Sequence, residues 1–326
     1  MAVTMPSTLM SFAAQGAQMM LVLLAAPLFT GWVRKVKARL QRRRGASIVQ
    51  PYRDFRRMLG KEAVIAGNAS WLFRTVPYLI FALTWVAASL VPTFAGGLMF
   101  SWTGDLIVIT ALLGAARFLL ALAGLDIGTG FGGIGASREM MIASLAEPAM
   151  LMIVVTLALI AGSTQLVTIA EFLRSGVAGL RVSLALALVA FVIVALAENG
   201  RFPIDNPATH LEVTMVHEAM ILEYSARHLA MLEFASWLKL LLTASMIAAI
   251  FFPFGMASGG DGITAISDFV RGGFAYGGKL IVAGTLLGIF ETAIAKMRVF
   301  RVPNLLGIAL MLGLLATLLL YVSRGL

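Results

Sequence analysis

The chain has 326 residues, of which 60% are hydrophobic and 13% are charged, and its mean hydropathy is +0.93. An ordinary soluble domain is about 45–50% apolar and about 25% charged, so this composition excludes a protein whose only solvent is water. The formal net charge is +9, and about half of the basic residues lie in one stretch beside apolar segments. This distribution favours the cytoplasmic face of a membrane over nucleic acid as the partner of the positive charge.

Eight apolar segments are long enough to cross the hydrocarbon core of a bilayer, which takes roughly 20 residues of helix. They comprise about residues 9–33, 71–94, 105–125, 140–162, 180–197, 232–254, 279–295 and 303–322. The sequence therefore predicts an all-α integral membrane protein with about eight transmembrane helices. We expect residues 1–326 to form a single transmembrane domain.

The first apolar segment has no positive charge before it and a run of basic residues after it, beginning at Arg34. Secretory signal peptides have the opposite order, so we interpret this segment as a helix that is retained, with its N-terminus outside. Most of the Lys and Arg residues then fall in the loops that eight crossings place in the cytoplasm. The positive-inside rule therefore predicts that both termini lie on the outer side.

Two of the predicted cytoplasmic loops have distinctive compositions. Residues 45–66 mix charges with apolar residues such as Phe55, which predicts an amphipathic helix lying on the membrane or under a partner, with a basic anchor for anionic lipid as the alternative. Residues 124–135 contain six glycines in twelve positions. We expect this second loop to be flexible and to become ordered only against something else.

Charged side chains inside membrane spans are costly, by about 2.5–3.5 kcal/mol each on insertion scales, and they therefore indicate function. The predicted spans and their ends contain seven such residues: Arg117, Glu139, Glu147, Glu198, Glu233, Lys239 and Glu291. Glu147 lies a turn or more inside its helix and precedes Pro148. Proline frees a backbone carbonyl that can accept a hydrogen bond from a proton-bearing water, or it simply kinks the helix.

The densest set of titratable residues lies within 36 positions of the sequence. It comprises Glu198, Asp205, His210, Glu212, His217, Glu218, Glu223, His228 and Glu233. Carboxylates and imidazoles so close together beside a membrane span can relay protons. A metal site and a plain solvated surface are the alternatives, but the histidines lack the i, i+4 spacing of a zinc-binding helix.

A cytoplasmic helix is predicted within this set, over about residues 207–224, because Asn206 can cap it and proline suits its first position. Two pairs of titratable residues would each share a face of this helix: His210 with His217, and Glu212 with Glu223. Residues 219–222 are too apolar to face water. We expect membrane or a partner to cover them.

The same stretch resembles the most specific motif of the subunit 1 family of respiratory complex I. The motif is a Glu at the end of the fifth helix, then Arg-x-Pro-x-Asp-x-Pro, then Glu-Tyr-Ser, here Glu198, Arg201, Pro203, Asp205, Pro207, Glu223, Tyr224 and Ser225. Two further matches are Gly135-Ala136 with Arg138 and then Glu147, and, more weakly, Gln41, Arg43 and Gly45 with Asp54. The family's eight-helix plan agrees with the number of apolar segments.

Departures from that motif indicate a branch of the family. Three extra residues separate Asp205 from Glu223 relative to quinone-reducing members, and Ser236 stands where those members have a membrane Glu. Glu233, one turn earlier, could replace that Glu. The runs at 125–128, 135–139 and 205–212 look instead like the membrane subunit of group 4 nickel–iron hydrogenases, of the hydrogenase 4 and formate hydrogenlyase type.

This resemblance implies a non-catalytic subunit of a prokaryotic plasma (inner) membrane complex. The subunit would anchor a soluble redox arm and couple its chemistry to proton movement. Proton-coupling residues would be Glu139, Glu147, Glu198, Asp205, His210, Glu212, His217, Glu218, Glu223 and Glu233. Loop and docking residues would be Arg43, Asp54, Arg138, Arg201 and Lys239.

The resemblance also implies partners and the place of the cofactors. The partners would be the hydrogenase large and small subunits, an iron–sulfur subunit, antiporter-like membrane subunits and membrane lipid. The nickel–iron centre and the iron–sulfur clusters would be bound by partners, since this sequence has no cysteine to ligate a cluster or a structural zinc.

Two other functions remain open at the level of sequence. A quinone-site subunit of a complex I-type NADH dehydrogenase would need a lipid-open chamber beneath the first and third cytoplasmic loops. A stand-alone ion transporter would show an internal repeat, and no clear repeat is present.

Overall fold

The computed structural model describes residues 5–96, 100–175, 182–201, 216–257, 263–294 and 301–325. In chain order the α-helices of these ranges are α1 (Met5–Leu40), α2 (Gln50–Leu59), α3 (Trp71–Leu90), α4 (Leu106–Asp126), α5 (Gly130–Ala161), α6 (Leu166–Arg174), α7 (Val182–Glu198), α8 (His217–Ile221), α9 (Ala226–Phe251), α10 (Ile263–Ala293) and α11 (Val302–Gly325). The predicted all-α fold class is confirmed.

Seven of the described helices are long and apolar enough to cross a membrane: α1, α3, α4, α5, α9, α10 and α11. The eighth predicted span, at residues 180–197, corresponds to α7, an apolar helix of 17 residues. Residues 176–181, directly before it, lie outside the described part of the chain. At 1.5 Å per residue α7 is about 26 Å long, slightly less than the hydrocarbon core. The placement of both termini on the outer side stays a prediction.

Helix α9 is the most buried of the seven, with 67% of its apolar window inside the protein against 22% for α10. It packs against α1, α2, α3 and α6, while α11 packs on α5 and α7. Lys239 of α9 therefore lies among other helices, whereas Arg227 in its first turn is exposed. This placement makes α9 the structural centre around which the site is built.

Helix α10 begins at Ile263, sixteen residues before the predicted start at 279. The mean hydropathy of this first half is low because it contains Asp268, Arg271 and four glycines. A prediction from apolar segments therefore missed it. One of these glycines is needed for packing, because a Cβ at Gly272 would collide with the carbonyl of Phe94. Helix α9 likewise begins six residues before its predicted start at 232.

The prediction of a flexible glycine-rich loop over residues 124–135 is wrong. Residues 124–126 end α4, and α5 begins at Gly130, where the Thr129 side chain accepts a hydrogen bond from the Gly132 amide at 3.2 Å. A Cβ at Gly132 would overlap the Gly124 carbonyl, and one at Gly135 would lie 3.0 Å from the Cβ of Ala219. The glycines therefore serve close helix packing.

The amphipathic helix that was predicted within residues 45–66 is α2. Its Phe55 ring lies 5.0 Å from Phe234 and 6.5 Å from Trp237 of α9, and its Tyr52 hydroxyl donates to the Leu24 carbonyl of α1. Arg53, Arg56 and Arg57 are exposed on the other side. One face of α2 thus packs against α1 and α9, and its basic face is exposed.

Candidate functional site

Five charged side chains from four helices meet inside the bundle. This central charge cluster consists of Arg117 on α4, Glu139 and Glu147 on α5, Glu198 on α7 and Lys239 on α9. Arg117 Nε lies 3.3 Å from Glu139 Oε1, and its Nη1 lies 3.8 Å from Glu147 Oε1. Glu198 contacts Arg117 Nη2 through one oxygen and Lys239 Nζ, at 3.1 Å, through the other.

Arg117 is the hub of this cluster, with only 2% of its side chain exposed, whereas Glu147 is 45% exposed. Three carboxylates face two cations, so the fully ionised cluster carries one excess negative charge. Within the described ranges the Arg117 nitrogens make charge contacts but no hydrogen bond of normal geometry. The group is thus held by charge, and one added proton makes it neutral.

A cavity of about 70 Å³ adjoins the cluster, with Glu139, Glu198, His217 and Ser236 among its lining residues. A cavity of this size has room for a few water molecules beside the polar groups in its lining. Water there can hydrogen-bond the incompletely paired groups, since leaving buried charges without partners is costly. The cavity can therefore carry protons between carboxylates that do not touch.

The local sequence of α4 and α5 fixes where the carboxylates point. Glu139 and Glu147 are eight residues apart on α5, which places them on one face, about 12 Å apart along the helix axis. Gly114 lies nearly one turn before Arg117 on α4, and a Cβ at this position would lie 3.3 Å from Glu147 Oε1. Glycine thereby leaves room for the Glu147 carboxylate beside Arg117.

Helix α7 ends in a tight turn directly after Glu198. Gly200 has a φ of +54°, and its amide donates to the Ala197 carbonyl at 3.1 Å, while the Arg201 amide donates to Leu196 at 2.9 Å. This pair of bonds is the Schellman motif, which needs a left-handed residue and so favours glycine. The turn fixes the direction in which the chain leaves Glu198.

A second charged group, here called the α10 triad, consists of the buried Glu291 and two partly exposed cations, Lys37 and Arg201. Glu291 has 2% of its side chain exposed, with Oε2 lying 3.1 Å from Lys37 Nζ and Oε1 lying 3.4 Å from Arg201 Nη1. Burial lowers the pKa of Arg201 from its usual range, and the Glu291 carboxylate opposes this effect. The sequence identified Glu291 as an intramembrane charge but indicated no role or partner for it.

A family model described as NADH dehydrogenase matches residues 14–322. The chain belongs to the NADH dehydrogenase family. Among curated relatives, hydrogenase-4 component C of Escherichia coli strain K12 is 36% identical over 241 residues, which cover 74% of this chain and 75% of that protein. Formate hydrogenlyase subunit 4 of the same strain is 31% identical over 292 residues, covering 88% and 92%.

More distant members of the family include NADH-quinone oxidoreductase subunit 8 of Rhodothermus marinus, 26% identical over 241 residues that cover 71% of this chain and 70% of that protein. The fold is shared with a chain in the structure of the membrane-bound sulfane sulfur reductase, an archaeal respiratory membrane complex. The TM-score is 0.78 at 19% identity, covering 94% of this chain and 99% of that one. The predicted family is confirmed, and the chain is a multi-pass protein of the plasma membrane.

The structure divides the family motif into parts. Glu198 belongs to the central charge cluster and Arg201 to the α10 triad. The motif residues Pro203, Asp205 and Pro207, with the neighbouring His210 and Glu212, lie outside the described residues. Their proton-coupling roles therefore stay predictions.

The Glu-Tyr-Ser part of the family motif anchors helices. The Tyr224 ring stacks on Phe73 with centroids 3.8 Å apart, and its hydroxyl donates to the Phe73 carbonyl at 3.1 Å. Ser225 Oγ accepts a hydrogen bond from the Val64 amide at 2.9 Å and donates one to the Val64 carbonyl at 2.8 Å. Glu223 is exposed and lies apart from the buried charges. Two of the three residues thus tie α3 and the loop that contains Val64 to the start of α9.

The predicted cytoplasmic helix ends earlier than expected. Within the described residues α8 stops at Ile221, because the chain must turn before Tyr224 reaches Phe73. Ala219, Met220 and Ile221 are buried against this chain's own helices, where membrane or a partner was expected, and Leu222 is 52% exposed. This short helix sits against α4 and α5.

The remaining titratable residues lie at different places around the clusters. His217 lines the cavity, and Glu218 is half-buried beside it on α8. Ser236 of α9 lines the cavity as well, whereas Glu233 lies near enough to Arg201 to act on it electrostatically. Glu233 is therefore associated with the α10 triad.

The predicted docking residues also separate into groups. Arg43 is exposed after α1, and Asp54 lies 3.1 Å from Arg57 within α2. Arg138 is half-buried near the start of α5. Lys239, for which a docking role was predicted, pairs with Glu198 inside the bundle. In the described part of the chain, no group of three or more His, Asp or Glu residues is arranged to hold a metal ion.

Proposed function

We propose that this chain is the membrane-anchoring and proton-coupling subunit of a hydrogenase 4-like or formate hydrogenlyase-like complex. The observation that carries the proposal is the central charge cluster, in which Glu198 is shared between Arg117 and Lys239. The similarity to hydrogenase-4 component C and formate hydrogenlyase subunit 4 supports the class of complex.

The cluster can take up a proton and pass it on. Protonation of Glu198 weakens its attraction to Arg117 and to Lys239 together, because both pairs depend on the same negative charge. Arg117 is then drawn towards the two carboxylates of α5. Glu139 and Glu147 are about 12 Å apart along α5. Protonation of Glu198 therefore also changes the electrostatic environment of the more exposed Glu147, two turns further along the helix.

The chain anchors a soluble redox arm through its basic cytoplasmic face. That face combines the open side of α2 with the exposed turn at residues 41–47. Its partners are the hydrogenase large and small subunits and an iron–sulfur subunit, with antiporter-like subunits beside it in the membrane. The nickel–iron centre and the iron–sulfur clusters belong to those partners, and this chain contributes docking, charge and proton movement.

Affinity purification of the tagged chain from its native membrane tests the class of complex. The proposal predicts that hydrogenase large and small subunits are recovered with it. Recovery of NADH-oxidising subunits in their place would overturn the hydrogenase assignment.

The coupling role is tested with Glu147→Gln in the purified complex, reconstituted into vesicles containing a pH-sensitive dye. We expect hydrogen turnover to persist while proton translocation is lost. Glu171→Gln on α6 is the matched control, since Glu171 is exposed and lies outside both charged groups. Wild-type translocation by the Glu147 variant would contradict the role assigned to that carboxylate.

A quinone-site subunit of a complex I-type NADH dehydrogenase is the second candidate. It is favoured by the match to the NADH-quinone oxidoreductase protein of Rhodothermus marinus. Quinone-dependent turnover that a quinone-site inhibitor blocks would select this function over the first.

A further inference from the structure

The turn of residues 198–201 belongs to both charged groups. Its first residue, Glu198, contacts Arg117 and Lys239 in the central charge cluster. Its last residue, Arg201, contacts Glu291 in the α10 triad. The two groups are therefore joined by three peptide bonds.

This turn is held firmly at several points. Besides its two Schellman hydrogen bonds, it is fixed by Asn199, whose Nδ2 donates to the Ala195 carbonyl at 2.7 Å and to Thr243 Oγ1 of α9 at 2.9 Å. Gly200 supplies the left-handed backbone that the turn requires. These bonds fix the position of Arg201 relative to Glu198.

The α10 triad determines where Arg201 sits. Each Glu291 oxygen contacts one cation, Lys37 from α1 and Arg201 from the turn, and the carboxylate is almost completely buried. Without this negative charge, two partly exposed cations would repel each other across the site of Glu291, and Arg34 adds further repulsion to Arg201. Removing one partner of a buried ion pair is strongly unfavourable for the partner that remains.

We propose that Glu291 is a positioning residue for the coupling reaction. By holding Arg201 it sets the position of Glu198 between Arg117 and Lys239, through the rigid turn. Lys37 lies in the last turn of α1, directly before the exposed basic turn. A partner bound on that face therefore acts on the central charge cluster along Lys37, Glu291 and Arg201. This inference rests on the proposed coupling function.

The test compares Glu291→Gln, Glu198→Gln and the double variant in the intact complex, reconstituted into vesicles with a pH-sensitive dye. The measured quantity is the number of protons translocated per hydrogen molecule formed or consumed. We expect Glu291→Gln to retain hydrogen turnover and to lose most of the translocation. Because Glu291 acts through Glu198, the double variant should translocate no less than Glu198→Gln alone, and an additive further loss would overturn the proposal.

Glu291→Asp separates positioning from charge. Aspartate keeps the negative charge but is one methylene shorter, so it cannot reach both cations as Glu291 does. We expect a partial loss of translocation with normal assembly, whereas wild-type translocation would overturn the proposal even if Glu291→Gln failed to assemble. If Glu198→Gln itself translocates normally, the coupling function fails. If Glu198→Gln loses translocation but the Glu291 variants translocate normally, the positioning role of Glu291 is contradicted while the coupling function stands.

Discussion

Arg117 of α4 contacts Glu198 of α7 inside the bundle, although two other helices separate them in the sequence. The same guanidinium also faces Glu139 and Glu147, so one buried cation compensates carboxylates from two helices. Removal of the Arg117 side chain should therefore lower the stability of the protein as well as impair its function.

Arg117→Ala would leave three carboxylates facing Lys239 alone. Breaking a buried ion pair by removing one partner costs about 3–5 kcal/mol, so we expect a marked fall in the thermal unfolding midpoint of the purified complex, or failure to assemble. Arg227→Ala is the control, because Arg227 is exposed. Equal stability of both variants would show that Arg117 is not the electrostatic centre.

Adjacent glycines at the start of α5 should respond oppositely to alanine. At Gly132 a Cβ overlaps the Gly124 carbonyl, whereas at Gly133 it meets open space. We expect Gly132→Ala to destabilise the protein by about 1–3 kcal/mol through overpacking. Gly133→Ala should be neutral or stabilising by up to about 1 kcal/mol, from helix propensity.

Thermal unfolding of both glycine variants in detergent measures this difference. If they unfolded at the same temperature, the close approach of α4 and α5 would be incorrect.

Tyr224 should contribute mainly through its ring. Tyr224→Phe loses the 3.1 Å hydrogen bond to the Phe73 carbonyl, at a cost of about 0.5–1.5 kcal/mol. Tyr224→Ala also loses the stacked ring and should cost about 3–5 kcal/mol. Chemical denaturation followed by tryptophan fluorescence distinguishes the two, and a larger effect of the Phe variant would contradict the anchoring role.

The packing of α2 against α9 should depend on Phe55, whose ring contacts Phe234 and Trp237. Phe55→Ala is expected to release α2 from α9 and make the first cytoplasmic loop sensitive to limited proteolysis. Met58→Ala, on the same helix, provides the comparison. Unchanged protease resistance of the Phe55 variant would place the attachment of α2 elsewhere.

The sequence predicted the membrane spans well because hydropathy is a property of each segment alone. It also identified Arg117, Glu198 and Glu291 as intramembrane charges, since a charge is costly in lipid whatever its partner. It could not pair them, because their contacts depend on how helices distant in the sequence pack together.

The errors have similar physical causes. Glycines at 124–135 indicate flexibility when read alone, and only the contacts of Gly132 and Gly135 with other segments explain their role. The residues Tyr224 and Ser225 carried the family resemblance, but the sequence indicated no role for them. Their hydrogen bonds show that two of the most specific residues anchor the fold.

The most direct test of the account is the number of protons translocated per hydrogen molecule by the reconstituted complex carrying Glu198→Gln. Glutamine keeps the shape of the side chain but removes the charge shared by Arg117 and Lys239. The account predicts continued hydrogen turnover with the translocation ratio reduced several-fold. Translocation at the wild-type ratio would contradict the claim that the central charge cluster couples the two processes.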